Sequence, residues 1–340
     1  MIGTTFPDVS RYQVASASNT TESIKNMIAP SESSISTKTY ESGDYLRQNS
    51  TFYKVTSDIS IGDPLVVDGN IQQTTVGYEL QHRNDTLKLV SWSSGTDEEI
   101  VALVEAADNG LVDLYNDAGW RVGDTRTVSL SAMLATGVGE SHVAQDVEFV
   151  LMHHGDMNLS TATASGRTKC SFVVGMKNML ANGTTREGGY MESTNTNANG
   201  WNGCIRKSWC NNIFREALPA TLKAIFKQFT HRVASRGGTN SSGVTLSTDY
   251  FSLPTEKNVF GAKSYCTQDE FNAADNFQFE WYKTAANRIK KAGSDGSAYF
   301  WWECSPSYYT SGNFCAVNYN SGANSDSASY PNGIAPFGVI

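Results

Sequence analysis

The chain has 340 residues, 18% of them charged, and its net charge at pH 7 is -8. An excess of negative charge repels the phosphate backbone, so sequence-independent binding of DNA or RNA is excluded and no nucleic-acid partner is expected. The length is too great for one average domain and favours a small module joined to one large domain.

Residues 1–38 are rich in Ser, Thr and Asn and poor in large apolar side chains. Such a segment buries too little apolar surface to offset its ordering entropy, so it is predicted to be a flexible tail or an arm that docks on a partner. Its first residues lack the basic and apolar segments of a secretion signal, and no stretch approaches the ~18 apolar residues of a membrane span. We therefore expect synthesis in the cytoplasm and no membrane insertion.

Residues 39–85 have the pattern of a small β-rich module. Tyr45-Leu46 leads into a polar turn, and Thr51–Thr56 combines β-branched and aromatic residues as strands do. Gly62–Val67 repeats the Gly-Asp opening of the first strand, and Asp68–Asn70 predicts another turn. A meander of this size is too small for a good core of its own, so we expect it to pack on a neighbour or on copies of itself.

Residues 86–340 predict one large domain that contains both helices and strands. Thr96 and Glu99 have the spacing of a capping box, which opens an apolar-periodic helix through Ile100, Leu103 and Val104. The further predicted elements are strands at Val128–Leu130 and Val147–Met152, helices at Trp209–Ala217, from Pro219 and at Phe277–Ala292, and paired strands at Tyr299–Trp302 and Asn313–Val317.

The six cysteines are too sparse for a disulfide scaffold, and they are Cys170, Cys204, Cys210, Cys266, Cys304 and Cys315. We interpret most of them as small buried apolar side chains. The alternative is a disulfide between Cys304 and Cys315, which could face each other across a hairpin. Cys204 and Cys210 do not have common zinc-ligand spacing and lack a second pair, so no metal site is predicted.

Few residues suggest catalysis. His153 and His154 are adjacent, and neighbouring side chains on a strand point to opposite faces, so a solvated loop pair is favoured over a metal site. Glu256, Glu270 and Glu280 are the acids that we would consider for glycan hydrolysis, although Glu256 fits a helix start better. We find no nucleophile elbow and no phosphate-binding glycine loop, so we expect no enzyme activity and no cofactor.

The segment Gly43–Leu80, within the predicted β module, resembles a short module that recurs in the tail and head-fibre proteins of phages of Firmicutes. The resemblance covers about 40 residues, read from the sequence that begins GDYLRQNSTFYKV. It implies a protein attached to a phage particle and implies nothing about a ligand.

Three groups of residues in the large domain resemble, in order, an uncharacterised family found in phages and gut Firmicutes. They are Gly123-Asp124 with Val128 and Leu130; Thr194–Asn197 with Gly200-Trp201 and Trp209–Asn211; and Phe251–Lys257 with Phe260-Gly261, Trp301-Trp302 and Gly333–Phe337. The match covers roughly residues 87–340, and Cys304 stands where the family pattern would have a basic residue.

More distantly, Leu253–Glu256 and the closing Gly333–Phe337 resemble the formylglycine-generating-enzyme branch of the C-type lectin fold. That branch includes the variable ligand-binding proteins of diversity-generating retroelements. The resemblance implies an α+β, C-type-lectin-like domain, in which Leu253 anchors in the core, Pro254 fixes the turn and Thr255 caps the next helix. These three roles are structural, so the resemblance implies a fold and not a catalytic activity.

Residues 305–333 consist almost entirely of Tyr, Asn, Ser, Gly and Ala. The lectin-like resemblance puts this segment at a ligand-binding face, which would consist of Tyr308, Tyr309, Asn313, Asn318, Tyr319, Asn320, Asn324, Asp326 and Tyr330. The alternative is an ordinary loop that closes the domain over its last strand. Asn324, Asp326 and Asn332 could supply oxygen ligands to calcium, but they match no known calcium loop.

These resemblances together predict a phage virion protein that acts as an adhesin. Residues 1–38 and 39–85 would attach to other virion proteins, and residues 86–340 would bind a host surface glycan or protein. Many weak copies on one particle would provide avidity, so a symmetric oligomer, with a trimer favoured, is expected. The alternative is a capsid-decoration or head-fibre protein with no host ligand.

Overall fold

The computed structural model of the chain divides into two compact units, Met1–Lys88 and Leu89–Ile340. The residues that it describes are 31–42, 44–49, 51–74, 89–134, 141–181, 189–238, 243–292 and 296–340. Residues 1–30 of the predicted tail, and residues 75–85 of the predicted β module, lie outside the described residues.

The first unit contains a four-stranded sheet in the order β1-β2-β3-β4. Its strands are β1 (Ser31–Glu32), β2 (Tyr45–Gln48), β3 (Thr51–Val55) and β4 (Ile71–Gln73). β1 is parallel to β2, and the other neighbours are antiparallel. Because β1 belongs to this sheet, ordered structure begins before residue 39, where the sequence places the boundary. The predicted turn around Asn49 and the strand after it are confirmed.

This small module has a hydrophobic cluster of its own, although the sequence predicts that it is too small for a good core. The cluster consists of Tyr40, Leu46, Val55, Ile59, Leu65 and Ile71, all buried. The Tyr40 hydroxyl donates a 2.6 Å hydrogen bond to the buried Glu32 carboxylate. The segment Gly62–Val67 forms isolated bridges rather than a strand, because Pro64 has no N–H to donate to a ladder.

The second unit contains both helices and strands. Its helices are α1 (Asp97–Asp108), α2 (Gly200–Gly203), α3 (Ile205–Trp209), α4 (Arg215–Ala217), α5 (Ala220–Ile225), α6 (Glu256–Phe260) and α7 (Gln268–Asn272). Its strands are β5 (Thr125–Leu130), β6 (Gln145–His154), β7 (Asn158–Leu159), β8 (Phe172–Met176), β9 (Phe229–Ala234), β10 (Val244–Asp249), β11 (Trp301–Pro306), β12 (Asn313–Val317), β13 (Ala323–Ser327) and β14 (Phe337–Val339).

Three antiparallel sheets organise these strands, with the orders β14-β8-β6-β5, β10-β9-β7 and β11-β12-β13. In the first sheet, every residue of β8 is buried, and β8 pairs on one side with β6 and on the other with β14. β14 stands at one end of this sheet, and all three of its residues are buried. The predicted strands in β5, β6, β11 and β12 are confirmed.

Local signals predicted two helix starts correctly. Thr96 Oγ1 accepts a hydrogen bond from the Glu99 N–H at 3.2 Å, and the Glu99 carboxylate accepts one from the Thr96 N–H at 2.9 Å. Thr255 caps α6 in the same way with Asn258. The helix predicted at Trp209–Ala217 begins earlier, at Ile205, and passes through a π-helical turn at Cys210–Phe214 into α4.

The predicted helix at Phe277–Ala292 is wrong, since this segment contains only two short 3₁₀ turns, Glu280–Lys283 and Ala285–Arg288. Side chains from elsewhere bind the backbone groups that a helix would need. The Asn258 amide donates to the Phe277 carbonyl at 2.8 Å, and the Trp301 indole donates to the Arg288 carbonyl at 2.8 Å. These tertiary hydrogen bonds replace those of a regular helix.

Lys290, in the segment that follows these turns, is fully buried. Its ammonium group donates to the carbonyls of Met176 and Lys177 at the end of β8. It also lies 5.0 Å from the centre of the Trp301 ring and 5.4 Å from that of Tyr282. Burial lowers the pKa of Lys290 to about 7, because the charged form is poorly solvated there.

We expect Lys290→Met to change the pH dependence of stability. An unfolded lysine has a pKa of ~10.4, so between pH 7 and pH 10 the unfolded chain binds more protons at this position. The free energy of unfolding of the wild type should therefore rise from pH 7 to pH 10, relative to that of the variant. Urea denaturation at several pH values measures the difference. If the difference in free energy of unfolding between the two proteins is the same at pH 7 and at pH 10, the lowered pKa of Lys290 is wrong. Lys223→Met, at the surface, is the control.

Candidate binding surface and buried polar centres

The sheet β11-β12-β13 contains the segment that the sequence predicts as a binding face. β12 pairs with β11 on one side and with β13 on the other. Phe314, Cys315, Ala316 and Val317 of β12 are buried, whereas all five residues of the edge strand β13 are half-buried. The segment is therefore an ordered hairpin with a closed inner side.

The nine predicted site residues are distributed along this sheet. Tyr308 and Tyr309 lie between β11 and β12, Asn313 begins β12, Asn318, Tyr319 and Asn320 lie in the β12–β13 turn, Asn324 and Asp326 are on β13, and Tyr330 follows β13. The two turns are at opposite ends of β12, a separation of roughly 14 Å for a five-residue strand. The structure therefore brings these residues to one sheet but not into one compact pocket.

An aromatic cluster lies at the β11–β12 end of this sheet. The rings of Tyr308 and Tyr309 are 5.4 Å apart, and the ring of Tyr265 is 5.9 Å from that of Tyr309, both in edge-to-face geometry. The Lys263 ammonium is 5.2 Å from the centre of the Tyr308 ring. Lys263 and Tyr265 were missed by sequence reasoning, because they are distant in sequence and belong to no motif.

The opposite end of the sheet carries Tyr319 beside Phe300, with ring centres 5.7 Å apart. The turn that contains Tyr319 is stabilised by Asn318, whose side-chain oxygen accepts the N–H groups of Asn320 at 3.1 Å and Gly322 at 2.8 Å. Asn318 therefore builds the turn, whereas the Tyr319 side chain is exposed. Side-chain exposure is similar at the three outermost tyrosines: 58% for Tyr309, 57% for Tyr319 and 52% for Tyr330.

The acidic group on this surface is bonded within the chain. The Asp326 carboxylate accepts from the Ser327 N–H at 2.9 Å and from the buried Asn332 amide at 3.2 Å. Asn324 lies two residues earlier on the same strand and shares its face. Asp326 is the only charged residue between 305 and 340, so apart from the Lys263 ammonium beside Tyr308 the surface presents aromatic rings and neutral hydrogen-bonding groups.

The sequence predicts that His153 and His154 form a solvated loop pair, and this prediction is wrong. Both residues belong to the strand, and their side chains point to opposite faces, as expected. His153 is buried and lies 2.9 Å from the Asp156 carboxylate and 3.5 Å from that of Glu280. His154 is exposed and stacks on Tyr115 with ring centres 4.3 Å apart.

A second histidine belongs to a buried network around Asp249. His231 Nε2 is 3.0 Å from Asp249 Oδ2, and the Ser247 hydroxyl donates to the same oxygen. The Asn211 amide donates to Oδ1 at 2.8 Å, and the Trp201 indole donates to Oδ2 at 3.2 Å. Burial raises the pKa of Asp249, but the hydrogen bonds from His231 and Ser247 and the attraction of His231 and Lys207 together outweigh burial, so its net pKa is lowered.

The Ser247, Asp249 and His231 side chains do not have the geometry of a nucleophilic triad. A triad needs a histidine between the hydroxyl and the carboxylate, whereas here the serine and the histidine both bind the carboxylate. All three residues are also buried. The network therefore stabilises β9 and β10, which the register places side by side.

The acids considered for glycan hydrolysis do not share a cleft. Glu256 is the first residue of α6, as its sequence context predicts, and both Glu256 and Glu270 are buried. Glu280 lies elsewhere, beside His153. Surface cavities of about 390, 520 and 580 Å³ are present in the described part of the chain, and none of the nine predicted site residues lines them. Two of these cavities share Arg215 and Tyr250.

Residues 176–339 match the family model described as Domain of unknown function (DUF6273). This region runs from the end of β8 to β14 and contains the surface described above. No curated protein and no solved structure matches the chain significantly. Among the described helices, none combines the length and the apolar character needed to cross a bilayer.

We expect Asp249→Asn to destabilise the second unit by about 3 kcal/mol, because one amide oxygen cannot replace a buried carboxylate that accepts several hydrogen bonds. Asp156→Asn is the matched control, since it alters the exposed carboxylate of the other histidine pair and should cost at most about 1 kcal/mol. Urea denaturation measures both. Equal losses in the two variants would show that the Asp249 network does not stabilise the unit as described.

Proposed function

We propose that the chain is a phage virion protein that acts as an adhesin, with a C-type-lectin-like domain that binds a host surface glycan or protein. The observation that carries this proposal is the set of three tyrosines, Tyr309, Tyr319 and Tyr330, each more than half exposed around one ordered sheet. Tyrosine supplies a large contact area at a low cost in side-chain entropy, which is why binding surfaces favour it.

The character of the surface favours an uncharged ligand. Its carboxylate, Asp326, is already bonded to Ser327 and Asn332. The Lys263 ammonium lies against the Tyr308 ring. The remaining groups are tyrosine rings and the amides of Asn320 and Asn324, which offer stacking and hydrogen bonds rather than charge. A neutral glycan or a polar protein loop has complementary chemistry.

The first unit has a surface suited to attachment. Ile61 and Val66 are 69% and 50% exposed, and Ile35 and Val67 are also exposed on this small module. Ile35 bridges to Pro64, which brings the two exposed segments together. An exposed aliphatic patch on so small a unit supports burial against other virion proteins or against copies of the chain, as in a trimer.

The binding surface can be tested by changing Tyr309, Tyr319 and Tyr330 together to Ala in the full-length chain. We expect saturable binding of the wild type to intact candidate host bacteria, and a loss of at least about tenfold in affinity for the variant, because several aromatic contacts are removed. Binding of fluorescently labelled protein by flow cytometry measures both.

The matched control is Leu134→Ala with Leu246→Ala, which removes exposed side chains from the same unit outside the sheet β11-β12-β13. This control should bind as the wild type does. If the tyrosine variant binds normally, the surface is not the adhesive one. If neither protein binds any candidate host, the alternative of capsid decoration through the first unit is favoured.

The attachment surface can be tested with Ile61→Ser and Val66→Ser in the same chain. We expect the wild type to form an oligomer, with a trimer favoured, and the variant to dissociate because its aliphatic contact is weakened. Light scattering coupled to size exclusion measures the mass. Loss of avidity should also weaken binding to cells, although the tyrosine surface is intact. A wild type that is monomeric at all concentrations would contradict self-association.

A further inference from the structure

A cluster of buried ligand-type side chains lies beneath the sheet β11-β12-β13. One carboxylate oxygen of Glu256, one of Glu303 and the Cys315 sulfur all lie within 4.8 Å of one another. The three residues are completely buried. They come from three elements, the start of α6 and the strands β11 and β12.

Glu256 is held in a fixed position by backbone donors. Its carboxylate accepts the N–H groups of Ser264 at 3.0 Å, Tyr265 at 2.8 Å and Cys266 at 2.9 Å. The Cys266 thiol also forms a hydrogen bond with this carboxylate. A carboxylate offers about four acceptor positions, so a metal ion on Glu256 would replace the Cys266 hydrogen bond. The backbone donors give the residue a rigid placement.

Glu303 is the unusual member, because neither of its carboxylate oxygens has a hydrogen-bond partner, although the residue is 0% exposed. A buried carboxylate without a hydrogen-bond partner is strongly destabilised while it is charged. Glu303 therefore needs a partner in this position, which can be a proton or a metal ion.

We propose that Glu256, Glu303 and Cys315 bind a divalent transition-metal ion, with zinc as the best fit. A thiolate disfavours calcium and magnesium and favours zinc, which accepts sulfur and carboxylate ligands together. Ligands of a tetrahedral zinc ion are ~3.3–3.8 Å apart, so these side chains need to approach by only about 1 Å. Three protein ligands leave one position of a tetrahedral zinc ion open, but because the ligands are fully buried, a structural role is favoured over a catalytic one.

Sequence reasoning predicted no metal here, because the three ligands span about 60 residues and form no motif. Their positions explain what a bound ion would do. It would link α6 to β11 and β12, the two inner strands of the proposed binding surface. The metal site is nevertheless independent of adhesion, since its test requires no host ligand.

The test uses the full-length protein, purified without chelators after growth with added zinc. We expect about one metal ion per chain by elemental mass spectrometry, and a fall in melting temperature when a strong chelator is present during refolding. Refolding with cobalt should produce the near-ultraviolet thiolate-to-cobalt absorption band. A wild type without bound metal, whose refolding is unaffected by zinc, overturns the proposal and leaves Glu303 protonated.

Substitutions of the proposed ligands show whether Glu303 binds a metal ion or carries a proton. Cys315→Ser should lose the cobalt band, and Glu303→Gln should reduce metal content at least about tenfold. The controls are Cys170→Ser, which changes a buried thiol elsewhere and retains a donor for the Gly155 carbonyl, and Glu270→Gln, which changes the neighbouring buried acid. Both should retain metal. If the Glu303→Gln variant contains as much metal as the wild type, Glu303 is not a metal ligand.

Discussion

The burial of β11 is the constraint on which the second unit depends. All six residues from Trp301 to Pro306 are buried, and they include the acid Glu303. Neighbouring segments bind other polar groups of the strand: the Ser305 hydroxyl accepts the Glu256 N–H at 3.0 Å, and the Cys304 N–H donates to the Pro254 carbonyl at 2.9 Å. Such a strand can be placed only where α6 and β12 supply these partners, so its position fixes theirs.

The position of β11 also determines the positions of β12, β13 and the turns between these strands. β12 is anchored on β11, and β13 adds to the open edge of β12 with a continuous register from Asn313 to Val317. The turns at both ends of β12 are therefore held by a rigid strand, and their side chains need not contribute to the core. This separation lets aromatic and amide groups face solvent without weakening the fold, as a binding site on a rigid scaffold requires.

Features governed by neighbours in sequence were predictable, and features governed by distant contacts were not. The capping box at Thr96 and the helix cap at Thr255 each depend on residues three apart, and the predicted box and the predicted cap are confirmed. The helix predicted at Phe277–Ala292 failed because Asn258 and Trp301, far away in sequence, bind its carbonyl groups. The Asp249 network and the cluster around Glu303 also join distant segments, and no spacing rule reveals them.

The two kinds of residue on the proposed binding surface should tolerate change differently. Asn318 closes the β12–β13 turn with two hydrogen bonds, and Asp326 binds the buried Asn332, so replacement of either removes a structural contact. Tyr309 and Tyr319, by contrast, are more than half exposed, and substitution at such positions changes stability little. A surface built in this way can exchange its contact residues, and with them its ligand, while the hairpin that carries them stays the same.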